Sequence, residues 1–291
     1  MFHDAVSQTV GVIGGSGLYE MEGLKVLEEV SLVTPFGKPS DIFLVGELSG
    51  QRMVFLPRHG RGHRISPSEL NFRANIWGMK KLGVTSLIAV SAVGSLREEI
   101  APGHMVIIDQ FIDRTQGRES SFFTEGIVAH IAFADPLCPA LRKVLIQAGK
   151  SAGAVVHEAG TYLCMEGPQF STRAESKLYR QWGADVIGMT NLQEAKLARE
   201  AEICYATIAL STDYDCWHVS HESVTTDMII SVLKKNVALS QKMIRLASQV
   251  MALRNEDCGC STALQHAILS DSNVIPEEVK KRLELIVGKY L

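Results

Sequence analysis

A pair of carboxylates follows the most apolar run of the sequence. Asp213 and Asp215 come soon after the strand-like segment Ile203 to Leu210. Side chains at positions i and i+2 of an extended segment face the same way, so both carboxylates point to one place. They can hold a metal, cap the next segment or accept hydrogen bonds from a nucleobase. A calcium loop is disfavoured, because it needs more oxygen ligands nearby and a glycine that is missing here.

Three further segments have the composition of anion-binding loops. Gly14 to Gly17 follows an apolar run, Pro57 to Arg64 contains three Arg and two His, and Ser91 to Leu96 offers hydroxyls and small residues. Backbone N–H groups and guanidinium groups at strand ends bind phosphate well. Each segment taken alone also fits an ordinary turn or a solvated basic loop. Three such segments at strand ends predict one shared phosphate pocket.

Familiar nucleotide and zinc motifs do not fit these loops. The Gly14 to Gly17 segment lacks the third glycine of a dinucleotide loop and the Lys-Ser/Thr pair of a triphosphate loop. His59 and His63 have the spacing of a zinc protease motif, but Gly60 and Gly62 disfavour a helix there. No acidic base lies between the two histidines.

One aromatic residue is a candidate for base stacking. Phe170 ends the segment Glu166 to Phe170, which follows another strand-like run. Its ring can stack on a flat heterocycle, but an isolated aromatic is as often part of the core. Both interpretations stay open at this point.

The six cysteines do not have the spacing of a metal site. Cys138, Cys164, Cys204 and Cys216 lie in apolar surroundings, which predicts buried reduced thiols. None belongs to a Cys-x-x-Cys motif, so the sequence does not indicate zinc. The segment Cys258 to Cys260 brackets one glycine and allows a strained local disulfide.

Composition predicts a globular protein that acts on small molecules. Of the 291 residues, 46% are hydrophobic and 21% are charged, and the formal net charge is −3. That balance excludes a disordered chain and does not favour a nucleic-acid or anionic-membrane partner. Apolar stretches such as Leu87 to Val93 fall far short of the roughly 20 residues of a membrane span. Met1 to Val10 does not resemble a secretion signal, so we expect a cytoplasmic protein.

Alternating strand-like and helix-like segments predict an α/β fold with a central sheet. The predicted strands are Thr9 to Ile13, Ile42 to Val45, Met53 to Leu56, Leu87 to Val90, Met105 to Ile108, Tyr162 to Met165, Val186 to Met189 and Ile203 to Leu210. The predicted helices are Ser68 to Lys81, Leu141 to Ser151, Ser171 to Trp182, Leu192 to Glu202, a long helix over Ile229 to Met251 and a last helix from Pro276. No linker is apparent, so residues 1–291 are expected to form one domain, with a core over about 10–250 and a helical tail over 255–291.

Taken together, the segments resemble one known family. The chain is similar to the trimeric nucleoside phosphorylase family, most closely to its 5′-methylthioadenosine phosphorylase branch, from about residue 10 to about residue 250. The resemblance is carried, in the family's order, by Val12 to Leu18, Thr34 to Ser40, Arg58 to Gly60, Gly94 to Glu99, Ile108 to Thr115, Glu166 to Pro168, Thr172 to Ser176 and Thr212 to Trp217.

The resemblance implies a fold, an activity and a set of site residues. The implied fold is a single domain with a mixed, barrel-like central sheet surrounded by helices, assembled as a homotrimer or a dimer of trimers. The implied reaction is phosphorolysis of S-methyl-5′-thioadenosine with inversion at C1′ and without a metal or organic cofactor. The residues that the resemblance implies for phosphate binding are Ser16, Arg58, His59, Ser91, Ala92 and Thr190. The residues implied to contact the nucleoside are Phe170, Ser171 and Met189, and the implied catalytic carboxylates are Asp213 and Asp215. The residues implied to surround the 5′ substituent are His130, Thr226 and Ile229.

Three alternatives follow from the same residues. A 6-oxopurine nucleoside phosphorylase shares the fold, but an Asn at the position of Asp213 would favour it. A nucleosidase would use water in place of phosphate, which the cluster of Arg58, His59 and Ser91 argues against. A purine-binding module without activity is the third alternative. Ser16 and Ser91 replace Thr of close relatives and keep the hydroxyl, whereas Thr226 stands where an aliphatic residue is expected.

Overall fold

The computed structural model describes residues 8–15, 17–18, 20–218, 226–251 and 258–291, with the backbone alone for 226–230. Ser16 lies outside the described residues, as do the side chains of Thr226 and Ile229.

Within the described ranges, eleven strands form one mixed sheet. They are β1 (Thr9–Gly14), β2 (Lys25–Val30), β3 (Phe43–Leu48), β4 (Gln51–Pro57), β5 (Val84–Ser95), β6 (Met105–Ile107), β7 (Gln110–Arg114), β8 (Val156–His157), β9 (Thr161–Met165), β10 (Val186–Gly188) and β11 (Cys204–Asp213). The main path of the sheet runs β2-β3-β4-β1-β5-β10-β9-β7, and β11, β6 and β8 branch from β5. The predicted mixed α/β sheet is therefore confirmed.

Four neighbouring strands end at the same edge of the sheet. β1 pairs in parallel with β4 and β5, and β5 pairs in parallel with β11. At this edge Gly14 lies opposite Pro57, and Asp213 lies opposite Gly94. β10 runs antiparallel to the last residues of β5 and so returns to the same region. The carboxyl ends of parallel strands are where open α/β sheets collect ligands.

Six helices flank the sheet in the described part of the chain. They are α1 (Phe72–Lys81), α2 (Pro139–Ala152), α3 (Arg173–Gln181), α4 (Asn191–Glu200), α5 (Thr226–Met251) and α6 (Glu277–Val287). Side chains cap three of the helix starts: Asn71 accepts from the backbone N–H of Ala74, Cys138 accepts from that of Leu141, and Thr172 forms a capping box with Glu175. Such caps satisfy N–H groups that have no partner within the helix.

The apolar core lies on both faces of the sheet, because alternate side chains of a strand point in opposite directions. Along β1, Ile13 belongs to one cluster, whereas Val10 and Val12 belong to another. The first cluster also includes side chains of α1, α4 and α6, and the second includes side chains of α2 and α5. The helices are thus held to the sheet by burial of their apolar stripes.

The structure corrects several details of the predicted elements. β2, β7 and β8 are not predicted from the sequence, and β5 continues through Ser95, so that Ser91 and Ala92 lie within the strand. The helix predicted from Ser68 begins at Phe72, after a separate 3-10 turn. Pro276 is the residue before α6 instead of its first residue. Cys138, Cys164 and Cys204 are buried as predicted, whereas Cys216 is only half-buried. None of the described helices has the length and apolar character that crossing a membrane requires.

Candidate active site

A cavity of about 730 Å³ opens at the edge where β1, β4, β5 and β11 end. This volume is in the usual range for a small-molecule site. Most of the described residues predicted for the site line it, namely Arg58, His59, Ser91, Ala92, Phe170, Ser171, Met189, Thr190, Asp213 and Asp215. Gly15 and Leu18 bring the glycine-rich loop to the same cavity.

Arg58 is a buried cation at one end of the cavity. It follows β4 and is only 2% exposed. Its Nε donates to Glu194 at 2.5 Å and its Nη2 donates to the same carboxylate at 3.1 Å. Nη1 donates to the carbonyl of Val90, and Nη2 also donates to that of Ile13. Of the five N–H groups of a guanidinium, one on Nη1 is left for a ligand, while Glu194 balances the charge.

His59 lies beside Arg58 and is neutral at neutral pH. Burial, together with the positive charge of Arg58, lowers the pKa of His59 to about 4. Its Nδ1 lies 2.8 Å from the carbonyl of Ile65, and because a carbonyl only accepts, Nδ1 carries the proton. An anion that binds next to Nε2 would favour protonation of the ring.

The basic loop contributes two more residues that the predicted site lacks. His63 and Arg64 line the cavity, and the ring of His63 stacks on that of His59 with centroids 4.4 Å apart. Gly60 has a φ of +70°, and a Cβ there would lie 2.9 Å from Nε of Arg64. A side chain at Gly60 would therefore displace the Arg64 guanidinium. The dense basic composition of Pro57 to Arg64 is the sequence signal that covers these residues.

Ser91, Ala92 and Thr190 complete the polar end of the cavity. Ser91 and Ala92 lie within β5, and Thr190 immediately precedes α4. Thr190 is buried, and its side chain makes no capping hydrogen bond. A helix start offers N–H groups and a partial positive charge to an anion. This end therefore has cations, hydroxyls and a helix dipole suited to a phosphate.

Asp213 and Asp215 also line the cavity and have different surroundings. Asp213 Oδ1 accepts from the backbone N–H of Asp215 at 2.8 Å, and Oδ2 lies 2.7 Å from the hydroxyl of Thr212. Asp215 Oδ2 accepts from the hydroxyl of Ser176 at 2.6 Å. Burial raises the pKa of Asp215, and the nearby charge of Asp213 raises it further. Asp215 is therefore easier to protonate than an ordinary exposed aspartate.

Phe170, Ser171 and Met189 are further lining residues of the cavity. Phe170 is 81% exposed, so the alternative of a core aromatic is wrong. Met189 follows β10, whose end returns to the β5 region. Phe170 and Met189 provide an apolar wall against which a ring can pack.

A buried arginine missed by the sequence analysis supports this wall. Arg118 donates from Nε to Glu166 Oε1 at 3.1 Å, and it also donates to the carbonyls of Glu166 and Met189. Its side chain is 2% exposed. It therefore ties the loop at Glu166, which leads to Phe170, to the loop at Met189. Only the fold brings Arg118 to these loops, so no local motif marks it.

Of the remaining predicted residues, the structure describes the side chain of His130, which is not brought to the cavity of its own chain. His130 is exposed and is not among the lining residues. Its backbone N–H donates to the carbonyl of Ala267 at 2.8 Å. α5 contributes Leu233 and Val237 to the cavity, while the side chains of Thr226 and Ile229 are outside the description.

Comparison with known sequences defines the class of protein. Residues 9–248 match the phosphorylase superfamily, and the chain belongs to this family. A curated relative from Geobacter sulfurreducens, 61% identical over 98% of this chain and 100% of its own length, is an S-methyl-5′-thioadenosine phosphorylase. Another from Koribacter versatilis is 57% identical over 97% of this chain and 96% of its own and has the same name.

Solved structures agree with the sequence comparison. A methylthioadenosine phosphorylase from an antarctic soil metagenomic library has a TM-score of 0.92 and 48% identity over 96% of this chain and 99% of its own. A mutant adenosine/methylthioadenosine phosphorylase from Schistosoma mansoni, solved in complex with methylthioadenosine, has a TM-score of 0.80 and 34% identity. That match covers 97% of this chain and 98% of the other.

Proposed function

We propose that this chain catalyses phosphorolysis of S-methyl-5′-thioadenosine, giving adenine and 5-methylthioribose 1-phosphate. The observation that carries the proposal is one cavity with an anion-binding end at Arg58 and a carboxylate pair at Asp213 and Asp215. The high identity to S-methyl-5′-thioadenosine phosphorylases favours this substrate over 6-oxopurine nucleosides.

Cleavage of the C1′–N9 bond separates charge, and each end of the cavity stabilises one part. The sugar becomes oxocarbenium-like, as in glycoside hydrolysis. Phosphate bound by Arg58, Ser91 and Thr190 lies on the face of the sugar opposite the base, where it first stabilises the positive charge and then bonds to C1′. Attack from that face inverts the configuration at C1′.

The leaving purine requires a proton at N7. Asp213 is proposed to supply it, beside Asp215, whose pKa is raised by burial and by the nearby charge of Asp213. General acid catalysis of this kind contributes roughly 10²–10⁴-fold to a rate. Phosphate is the nucleophile and a carboxyl group is the acid, so the proposed reaction needs no metal or organic cofactor.

The 5′ end of the substrate completes the proposal. Thr226 and Ile229 of α5, with His130 of a neighbouring subunit, are proposed to surround the methylthio group. The exposed position of His130 away from its own cavity supports a role in another subunit's site. A homotrimer, alone or paired as a dimer of trimers, is therefore part of the proposal, as is a cytoplasmic location.

Phosphate dependence tests the proposed reaction. We expect purified protein to release adenine from methylthioadenosine only when phosphate is present, with the α anomer of the sugar phosphate as the other product. Adenine is followed by chromatography and the phosphate ester by phosphorus NMR. Equal adenine release in phosphate-free buffer would indicate a nucleosidase, and no release in either buffer would leave only nucleoside binding.

A further inference from the structure

Four cysteines that are far apart in the sequence meet in the structure. Cys138, Cys204, Cys258 and Cys260 place their sulfur atoms within 4.8 Å of one another. Cys138, Cys204 and Cys260 are buried, and Cys258 is half-buried. All four are reduced in the structure, and the sulfur atoms of Cys204 and Cys258 lie 3.3 Å apart. We call this group the four-cysteine cluster.

The geometry points to a structural site for a thiophilic divalent cation, zinc first, at the four-cysteine cluster. Zinc in structural sites is tetrahedral with Zn–S distances of about 2.3 Å, which places the sulfur atoms about 3.8 Å apart. The observed separations bracket that value. Four thiolates without carboxylates are a soft ligand set that selects zinc over magnesium or calcium.

The surrounding backbone suits thiolate ligands. Cys138 is the residue before α2, and its sulfur accepts a hydrogen bond from the N–H of Leu141 at 3.4 Å. A helix start lowers the cost of a thiolate. Gly259 has a φ of +68°, so the chain turns sharply between Cys258 and Cys260 and both side chains reach one point. Binding of the cation displaces up to four protons from the four thiols to solvent, so the fully deprotonated site with its divalent ion carries a net charge of −2.

The site would tie three separate parts of the fold together. It joins the start of α2 and the start of β11 to the C-terminal segment over 258–291. Further along, this segment pairs with the chain around His130, since Leu269 donates to the carbonyl of Val128 at 2.9 Å. None of the four cysteines lines the active-site cavity. The proposed ion therefore stabilises the fold and takes no part in phosphorolysis.

Metal content of the whole protein tests this proposal. The protein is purified without chelators under anaerobic conditions and analysed by plasma mass spectrometry, and we expect about one zinc per chain. Cys138→Ser and Cys204→Ser should each lose most of the zinc. Cys164→Ala removes a buried cysteine outside the cluster and should retain it. Cobalt added to the metal-free protein should give the absorption of a tetrahedral thiolate site.

A second measurement separates metal binding from disulfide formation. Wild-type protein denatured without reductant in the presence of a chelator should have all six thiols available for alkylation. Wild-type protein without metal above background, or with a mass lower by two hydrogens per bridge because the cluster has oxidised, would overturn the proposal. Both readouts use wild-type protein, so they decide the matter even if a variant fails to fold.

Discussion

At the scale of single residues, the two carboxyl groups that we propose as catalytic have different hydrogen-bond surroundings. Asp213 already accepts one backbone hydrogen bond and lies beside a hydroxyl, whereas Asp215 is buried against Ser176. An ionised carboxylate accepts only, and a protonated one also donates. The pair can therefore accept from the amino group of adenine while donating to N7. Facing the O6 of hypoxanthine, its ionised oxygen would meet another acceptor.

Asp213→Asn should change the choice of base. We expect wild type to prefer methylthioadenosine over inosine by about one to two orders of magnitude, since an unmatched buried polar contact costs roughly 1–3 kcal/mol. The variant should cleave methylthioadenosine more slowly, because an amide cannot protonate N7. Its NH₂ can donate to O6, so the gap to inosine should narrow.

The measurement is kcat/KM of wild type and variant on both nucleosides. Asp271→Asn makes the same chemical change at an exposed residue of the C-terminal segment and should leave the ratio unchanged. An unchanged ratio in Asp213→Asn, or a wild type that prefers inosine, would show that Asp213 does not read position 6 of the purine.

Residue types at strand ends predicted most of the cavity lining, but not the partners of those residues. Arg58 was recognised as a cation in a basic loop, yet the sequence does not show that Glu194, 136 positions later, neutralises it. Removing Glu194 would leave a buried charge unpaired, and such losses typically cost 3–5 kcal/mol. Local composition identifies ligand-facing groups, whereas buried counter-charges depend on how distant elements pack.

At the scale of elements, patterning predicted the buried strands and missed the exposed ones. β11 has nine consecutive buried residues and reads as a continuous apolar run, as is typical of a central parallel strand. β2 is almost entirely exposed, and β8 has only two residues. Neither has an apolar periodicity that would distinguish a strand from a loop. The elements that carry the site are the buried ones, which is why the site could be predicted better than the sheet edges.

Glu200, the last residue of α4, predicts that the stability of the protein depends on pH. Burial raises the pKa of Glu200 to about 7, although its oxygens accept from the N–H of Phe122 at 2.6 Å and the hydroxyl of Ser121 at 2.8 Å. The folded state thus holds this proton more tightly than the unfolded state, whose ordinary pKa is 4.5. The stabilising contribution is complete below the unfolded pKa and is lost as the pH rises through about 7.

Glu200→Gln should remove that dependence. Between about pH 5 and about pH 8.5, we expect the free energy of unfolding of wild type to fall by about 3 kcal/mol more than that of the variant. Denaturant unfolding at several pH values measures it. Glu277→Gln changes an exposed glutamate paired with Lys280 and should behave as wild type. Parallel pH profiles for wild type and Glu200→Gln would contradict the assigned proton.

At the scale of the whole molecule, the least predictable features join parts of the chain that are far apart. The spacing of the six cysteines gave no indication of zinc, yet the fold brings four of them together from α2, β11 and the C-terminal segment. Arg118 likewise reaches Met189, 71 positions away. No local sequence pattern predicts these long-range contacts, because they follow from the order and direction of the strands in the sheet. The resemblance to a family predicted the overall fold for the same reason, since it concerns the chain as a whole.

His130 provides the test of the proposed assembly. Its place outside its own cavity predicts that it acts only in a neighbouring subunit, so His130→Ala should raise KM for methylthioadenosine, by roughly tenfold if about 1.4 kcal/mol of contact is lost. Asp213→Ala should inactivate the site of its own subunit. Each variant alone therefore gives weak activity at low substrate concentration.

Mixed trimers of the two variants should regain activity. A site is intact when its own subunit has Asp213 and the neighbour that supplies the histidine has His130, which holds for about a quarter of the sites after random mixing. The two proteins are unfolded and refolded together, or co-expressed with different tags and purified on both, and kcat/KM is measured at low methylthioadenosine. A mixture of separately refolded variants is the control and should stay weak. If the mixed assembly is no more active than this control, each subunit builds its site alone. The same conclusion would follow if light scattering on dilution found a monomer with full wild-type activity.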